Sequence, residues 1–163
     1  MKKAGDASPQ DDLQRRLTRL QDREAIEQAL IRHARSLDDH DLESFLDQFD
    51  ATFSYSYDGH VVTDRGKLGK AAQKNWLSMP KTTHLLGNII ISFVRGSGDD
   101  KDQAEVQATV TSDCLALTVQ KSGEMGLVTA AYRDRLVKRA GVWRFSERVI
   151  ETRGPYPLGG TPS

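Results

Sequence analysis

The chain has a single cysteine, Cys114, in 163 residues. One thiol excludes an internal disulfide and suits a reducing compartment, so a cytoplasmic location is expected. Net charge is also missing, because 23 basic residues cancel 23 acidic ones. A neutral chain exerts no general pull on nucleic acid or on an anionic membrane, and neither is expected as a partner. No apolar run approaches the length that crosses a bilayer, and the polar start MKKAGDASPQDDL lacks the apolar stretch of a signal peptide. There is no glycine-rich phosphate loop and no Gly-x-Ser-x-Gly elbow. Nucleotide and acyl-enzyme chemistry are therefore not expected. The four histidines, His33, His40, His60 and His84, lack metal-ligand spacing, and Asp38–Asp41 is not a calcium loop. No metal and no cofactor are expected. Internal repeats and low-complexity segments are absent.

What remains is an ordinary globular balance, 37% hydrophobic and 28% charged. One domain over residues 1–163 is expected, with 1–8 and 154–163 as flexible tails. Ser8, Pro9 and Asp11 read as a helix start, continued by Leu13, Leu17 and Leu20. Asp22 is a candidate cap for a second segment, in which Ile26, Leu30, His33 and Leu37 form one apolar stripe. The stripe stops at Asp38, and Asp41 is a plausible cap for a short helix carrying Leu42, Phe45, Leu46 and Phe49.

The pattern then changes to alternation: Phe53, Tyr55 and Tyr57 interleave with Thr52, Ser54 and Ser56. Asp58-Gly59 reads as a turn into a short return strand, His60–Thr63. Residues 64–79 read as a helix ended by Pro80. Long strands are expected over about 82–95, 105–120, 126–139 and 142–152, the last with Trp143, Phe145, Glu147 and Val149 on one side. The linker GSGDDKDQ and the tail GPYPLGGTPS are expected to be irregular. The fold class is α+β, with helices packed in a curved, mostly antiparallel sheet.

Three segments carry a resemblance: DREAIEQAL…SLDDHDLESFLDQFD, then THLLGN, then AAYRDRLVKRAGVWRFSERV. With this element order they resemble the SnoaL-like branch of the nuclear transport factor 2-like superfamily, over about residues 22–152. The resemblance implies a cone-shaped α+β barrel with a pocket inside. Within that superfamily the chain is similar to scytalone dehydratase, bile-acid 7α-dehydratase and hexachlorocyclohexane dehydrochlorinase. These eliminate water or hydrogen chloride without a cofactor, using an Asp–His pair. That pair falls on Asp38 and His84, with Asn88 four residues beyond the histidine and a pocket arginine at Arg133. Where those enzymes carry Lys or Tyr, five residues before the aspartate, this chain has His33.

Taken residue by residue, a carboxylate and an imidazole that meet in a pocket can move a proton at neutral pH. His84 would be the base, and Asp38 would fix its ring. Arg133 would orient a carbonyl, phenol or departing anion, its alternative being a surface arginine ladder. His33, Phe53, Tyr55, Tyr57 and Asn88 are the candidate substrate contacts, the aromatic ones as a wall for a flat substrate. Trp76 and Trp143 read as packing, and Cys114 as a small buried hydrophobe. The function expected is a lyase acting on a small apolar substrate, aromatic or polycyclic, in aromatic compound catabolism. Water is the leaving group favoured, with halide or formaldehyde as alternatives. An isomerase, or a non-catalytic subunit such as the small partner of a ring-hydroxylating dioxygenase, is the rival. The outward side of the sheet carries Leu115, Leu117 and Val119, so a homo-oligomer, trimer or dimer, is expected.

Overall fold

The computed structural model describes residues 8–94 and 106–158. The expectations for residues 1–7, for the linker GSGDDKDQ and for residues 159–163 lie outside the described residues. Helix α1 (Pro9–Asp38) starts as its sequence indicates: the Ser8 hydroxyl accepts from the Asp11 amide, and the Asp11 carboxylate returns a bond to Ser8. It is one helix of 30 residues, not two. Asp22 is not a cap. It is buried, and its Oδ1 accepts from Lys138 Nζ at 2.6 Å and from Trp143 Nε1 at 3.0 Å. Side chains of α1 are buried only from Asp22 onward, along the stripe Ile26, Leu30 and His33.

The remaining elements are α2 (Leu42–Asp47), β1 (Phe49–Tyr57), β2 (His60–Val62), α3 (Arg65–Ser78), β3 (Lys81–Val94), β4 (Val106–Val119), β5 (Met125–Arg139) and β6 (Val142–Leu158). Asp41 caps α2 and Asp64 caps α3 through side-chain bonds to the amides of Ser44 and Lys67. The strands form one six-stranded sheet in the order β2-β1-β6-β5-β4-β3. β3 to β6 make an antiparallel meander, while β1 joins β6 in parallel and carries β2 as a hairpin. The helices fill the concave side, giving a cone-shaped α+β fold. The main core joins Ile26, Leu30, Phe45, Phe49, Leu136 and Phe145. A second cluster of Cys114, Ala116, Ala130, Tyr132 and Ile150 lies further along the sheet, with Tyr55 and Leu86 touching both.

Two β-bulges decide which side chains enter the cone. Between Gly87 and Ile90, β3 gains a residue relative to β4, and Asn88 takes φ +50°. Between Phe145 and Glu147, β6 gains one relative to β5. Each bulge reverses the in–out alternation beyond it. On β6 the inward set is therefore Trp143, Phe145, Arg148 and Ile150, and the expected run through Glu147 and Val149 is corrected. The tail is corrected as well. Residues 154–158 continue β6, with Leu127 opposite Tyr156 and Met125 opposite Leu158, after a third register shift at Gly154, φ +100°. Past Tyr57 no β1 residue pairs with β6, so Pro155 and Pro157, which lack an N–H, interrupt no ladder on that side.

Candidate active site

The site is built where the end of α1 meets the start of β3. Asp38 is the last residue of α1, and His40 (φ +56°) turns the chain into α2. β3 is an edge strand, so amides on its outer side have no strand partner. Asp38 takes that role. Its Oδ2 accepts from the His84 backbone N–H at 2.9 Å, and its Oδ1 accepts from the Thr82 hydroxyl at 2.8 Å. The same Oδ1 lies 2.6 Å from Nδ1 of the His84 ring. A carboxylate oxygen at that distance accepts from the ring, so Nδ1 carries a proton, and in the neutral ring the lone pair is then on Nε2. The His84 and Asp38 side chains are 16% and 9% exposed, sheltered but not sealed.

Inside the sheet, β5 and β6 carry an ion pair that has no exposure at all. Arg148 and Asp134 face each other across β6 and β5, with Nε–Oδ1 and Nη2–Oδ2 both at 2.8 Å. The guanidinium sits 4.2 Å from the Phe145 ring centroid and 4.8 Å from that of Tyr132. Its Nη1 has no partner. Burial alone would lower the Arg148 pKa, but the charge and hydrogen bonds of Asp134 outweigh it and hold the group cationic. His33 is 1% exposed, enclosed by Phe45, Phe49 and Phe145, and neither ring nitrogen has a partner. Burial, with the nearby charges of Arg148 and His84, pushes its pKa well below the ordinary imidazole range. Burial raises the Tyr55 phenol to about 12 and the Tyr132 phenol still further, so both remain protonated at neutral pH. Cys114 is buried and its thiol pKa is raised by that burial.

The structure brings Asp38 and His84 together, and sets the rings of His33, Phe53 and Tyr55 around Phe49 in the core. It separates three others. Arg133 points to the outer face, where it is 56% exposed and bonds Glu151 at 2.7 Å, beside an Arg135–Glu147 pair. That corrects the expected pocket arginine: Arg133 shares its parity with Ala131 and Arg135, and Asp134 is the residue that turns inward. Asn88 is also turned out, by its own bulge, and donates to Asp113 at 2.7 Å. Tyr57 is half-exposed at the end of β1. The buried cation, Arg148, escaped the sequence reading because plain alternation from Trp143 puts it outside. The one signal available was the pair Asp134 and Arg148, opposite charges on neighbouring inward strands. Among the described residues, no three His, Cys, Asp or Glu side chains are grouped to hold a metal ion, and no helix is long and apolar enough to cross a membrane.

Comparison with known proteins places the fold. The family model of the SnoaL-like domain matches residues 18–149. A candidate scytalone dehydratase from Novosphingobium aromaticivorans is 25% identical, with a TM-score of 0.74 over 88% of this chain and 92% of its own. The LinA-type3 hexachlorocyclohexane dehydrochlorinase of Novosphingobium barchaimii is 20% identical, with a TM-score of 0.75 over 89% and 95%. At that identity the likeness speaks for the fold alone. No curated protein matches the chain in sequence.

Proposed function

The chain belongs to the SnoaL-like domain family, and we propose that it is a cofactor-independent lyase that eliminates a small group after proton abstraction by His84. The observation that carries this reading is the 2.6 Å contact between Asp38 Oδ1 and His84 Nδ1, reinforced by the bond from the His84 amide to the same carboxylate. A ring held at one nitrogen by a carboxylate presents the other as a base, and the carboxylate stabilises the imidazolium that forms. A subunit without catalysis has no need of such a contact, which weighs against the accessory reading.

In this proposal Nε2 of His84 takes a proton from carbon or from a hydroxyl of the substrate. The electron pair released expels a leaving group from the neighbouring atom. Water is the leaving group favoured, the departing hydroxide taking back the proton from the His84 imidazolium; halide departs with the bonding pair, and loss of formaldehyde from a hydroxymethyl arm starts from the O–H proton, forms the C=O bond, breaks the C–C bond and returns the proton to the ring carbon. The free Nη1 of Arg148 takes the place first given to Arg133, meeting negative charge as it develops on oxygen or on the leaving group. The aromatic rings of Phe49, Tyr55 and Phe145 favour a flat apolar substrate.

The test is turnover of a panel of aryl alcohols, read as the ultraviolet absorbance of the conjugated product. His84→Ala and Asp38→Asn are each expected to lower the rate by at least ~100-fold, the scale of general acid–base groups. Folded variants with full activity would overturn the proposal.

A further inference from the structure

A helix that lies against a sheet buries an apolar stripe, and α1 does so from Asp22 onward. Before that point the face turned to β3 carries arginine. Arg16, Arg19, Leu20 and Arg23 lie on one side of the helix by their spacing, and they line a cleft of about 400 Å³ whose other wall is Ile91 and Phe93 of β3. Two of the three guanidiniums are matched within the helix. Arg16 Nε pairs with Asp12 at 2.9 Å, and Arg23 Nε pairs with Glu27 at 3.1 Å. Arg19 has no carboxylate partner among the described residues. Its guanidinium instead lies over the Phe93 ring, 5.1 Å from the centroid.

This lining fixes the chemistry of an occupant. Leu20, Ile91 and Phe93 form an apolar floor, and a flat ring can lie against Phe93 beside the guanidinium. With Arg16 and Arg23 matched, Arg19 leaves one positive charge, so a single negative charge balances the cleft. A guanidinium fork holds a carboxylate through two parallel N–H donors. Inorganic phosphate brings excess charge and no apolar body, a neutral arene leaves Arg19 unmatched, and an ammonium meets three like charges. The cleft is also remote from the Asp38–His84 pair. Arg19 and Asp38 both belong to α1, separated by about 28 Å of helix.

We propose that this cleft is a second binding site, which takes an aromatic monocarboxylate with its carboxylate on Arg19 and its ring against Phe93. The proposal does not depend on the lyase reading, and it is read by binding without turnover.

The test is titration of the ¹⁵N-labelled full-length protein, followed by NMR, with four probes: 2-naphthoate, 2-naphthamide, acetate and inorganic phosphate. 2-Naphthoate is expected to move the amide signals of residues 16–23 and 91–93 together, with a Kd of about 1 mM, as suits a small ligand in an open cleft. The other three probes should each bind at least about tenfold more weakly, the factor that a charge-assisted hydrogen bond supplies. Arg19 is exposed, so Arg19→Gln should keep the fold and weaken 2-naphthoate about tenfold. Phe93→Leu keeps the floor apolar but removes the flat ring, and should weaken it about threefold. Arg15 pairs with Asp12 outside the cleft, so Arg15→Gln should leave binding unchanged. No binding of 2-naphthoate to wild type, signals that move around His84 instead, or phosphate or acetate binding as tightly would each overturn the proposal. So would unchanged binding in Arg19→Gln or Phe93→Leu. Binding that emerges only when Asp99, Asp100 and Asp102 are replaced by Asn would overturn it too, making the chain's own acidic segment the occupant.

Discussion

Asp38 holds His84 at two points, the ring nitrogen Nδ1 through Oδ1 and the backbone amide through Oδ2. One carboxylate therefore orients the imidazole and pins the edge strand that carries it. Thr82 Oγ donates to the same Oδ1 from two residues upstream, on the same side of β3. Thr82→Val should remove that support while leaving the pair. The expected effect is a loss of about tenfold in turnover with stability lowered by roughly 2 kcal/mol, the net worth of one hydrogen bond to a charged acceptor. Turnover and thermal melting of the variant, compared with Asp38→Asn, check it. A Thr82→Val loss as large as that of Asp38→Asn would contradict this division of labour.

Arg133 and Arg148 separate cleanly by stability. Arg133 is an exposed partner of Glu151, so Arg133→Gln should shift stability by no more than about 1 kcal/mol. Asp134→Asn strands the buried Arg148 charge and should cost roughly 3–5 kcal/mol. Denaturant titration of both variants decides. Equal, small effects would mean that the Asp134–Arg148 pair is not buried in solution.

Stability should fall on mild acidification in a way that His33 explains. Its folded pKa is depressed, so the unfolded chain binds a proton that the folded chain refuses. The stabilisation is fully present above the unfolded value, near 6.5, and is lost as pH falls from there toward the folded pKa. Over that window wild type should lose roughly 1 kcal/mol per pH unit more than His33→Leu. Parallel curves for the two proteins would remove His33 as the cause.

Truncation after Arg153 should destabilise the protein, because residues 154–158 form the strand partner of Met125–Leu127. Losing two or three backbone hydrogen bonds implies a decrease of about 1–3 kcal/mol. Gly154→Ala should act in the same direction: at φ +100° its new Cβ would lie 2.8 Å from the Tyr156 ring. A truncated chain with an unchanged melting temperature would restore the reading of the tail as a loose terminus.

Homo-oligomerisation is expected from the outward side of the sheet. Leu85 and Leu115 are paired neighbours on β3 and β4, and both are exposed. Light scattering at micromolar concentration should return two or three times the chain mass. A Leu85→Lys, Leu115→Lys double variant should reduce that to one.

The amino-acid sequence by itself determined what depends on neighbours in the chain. The Ser8–Asp11 capping box, the stripe Ile26–Leu30–His33, the cap at Asp41 and the Asp58-Gly59 turn are local, and they appear where their residues indicate. The meeting of Asp38 with His84 was legible only through resemblance, since 46 residues separate them and no local pattern links them. Tertiary structure decided the rest. A bulge arises when one strand takes an extra residue against its partner, a mismatch that neither strand carries in its own alternation. Hence Asn88 turned outward, and Arg148 turned inward where Arg133 was expected. Asp22 became a buried acceptor instead of a cap because Lys138 and Trp143, more than a hundred residues away, arrive with donors. The tail became a strand because β5 offers a free edge, which its glycines and prolines can follow but do not announce.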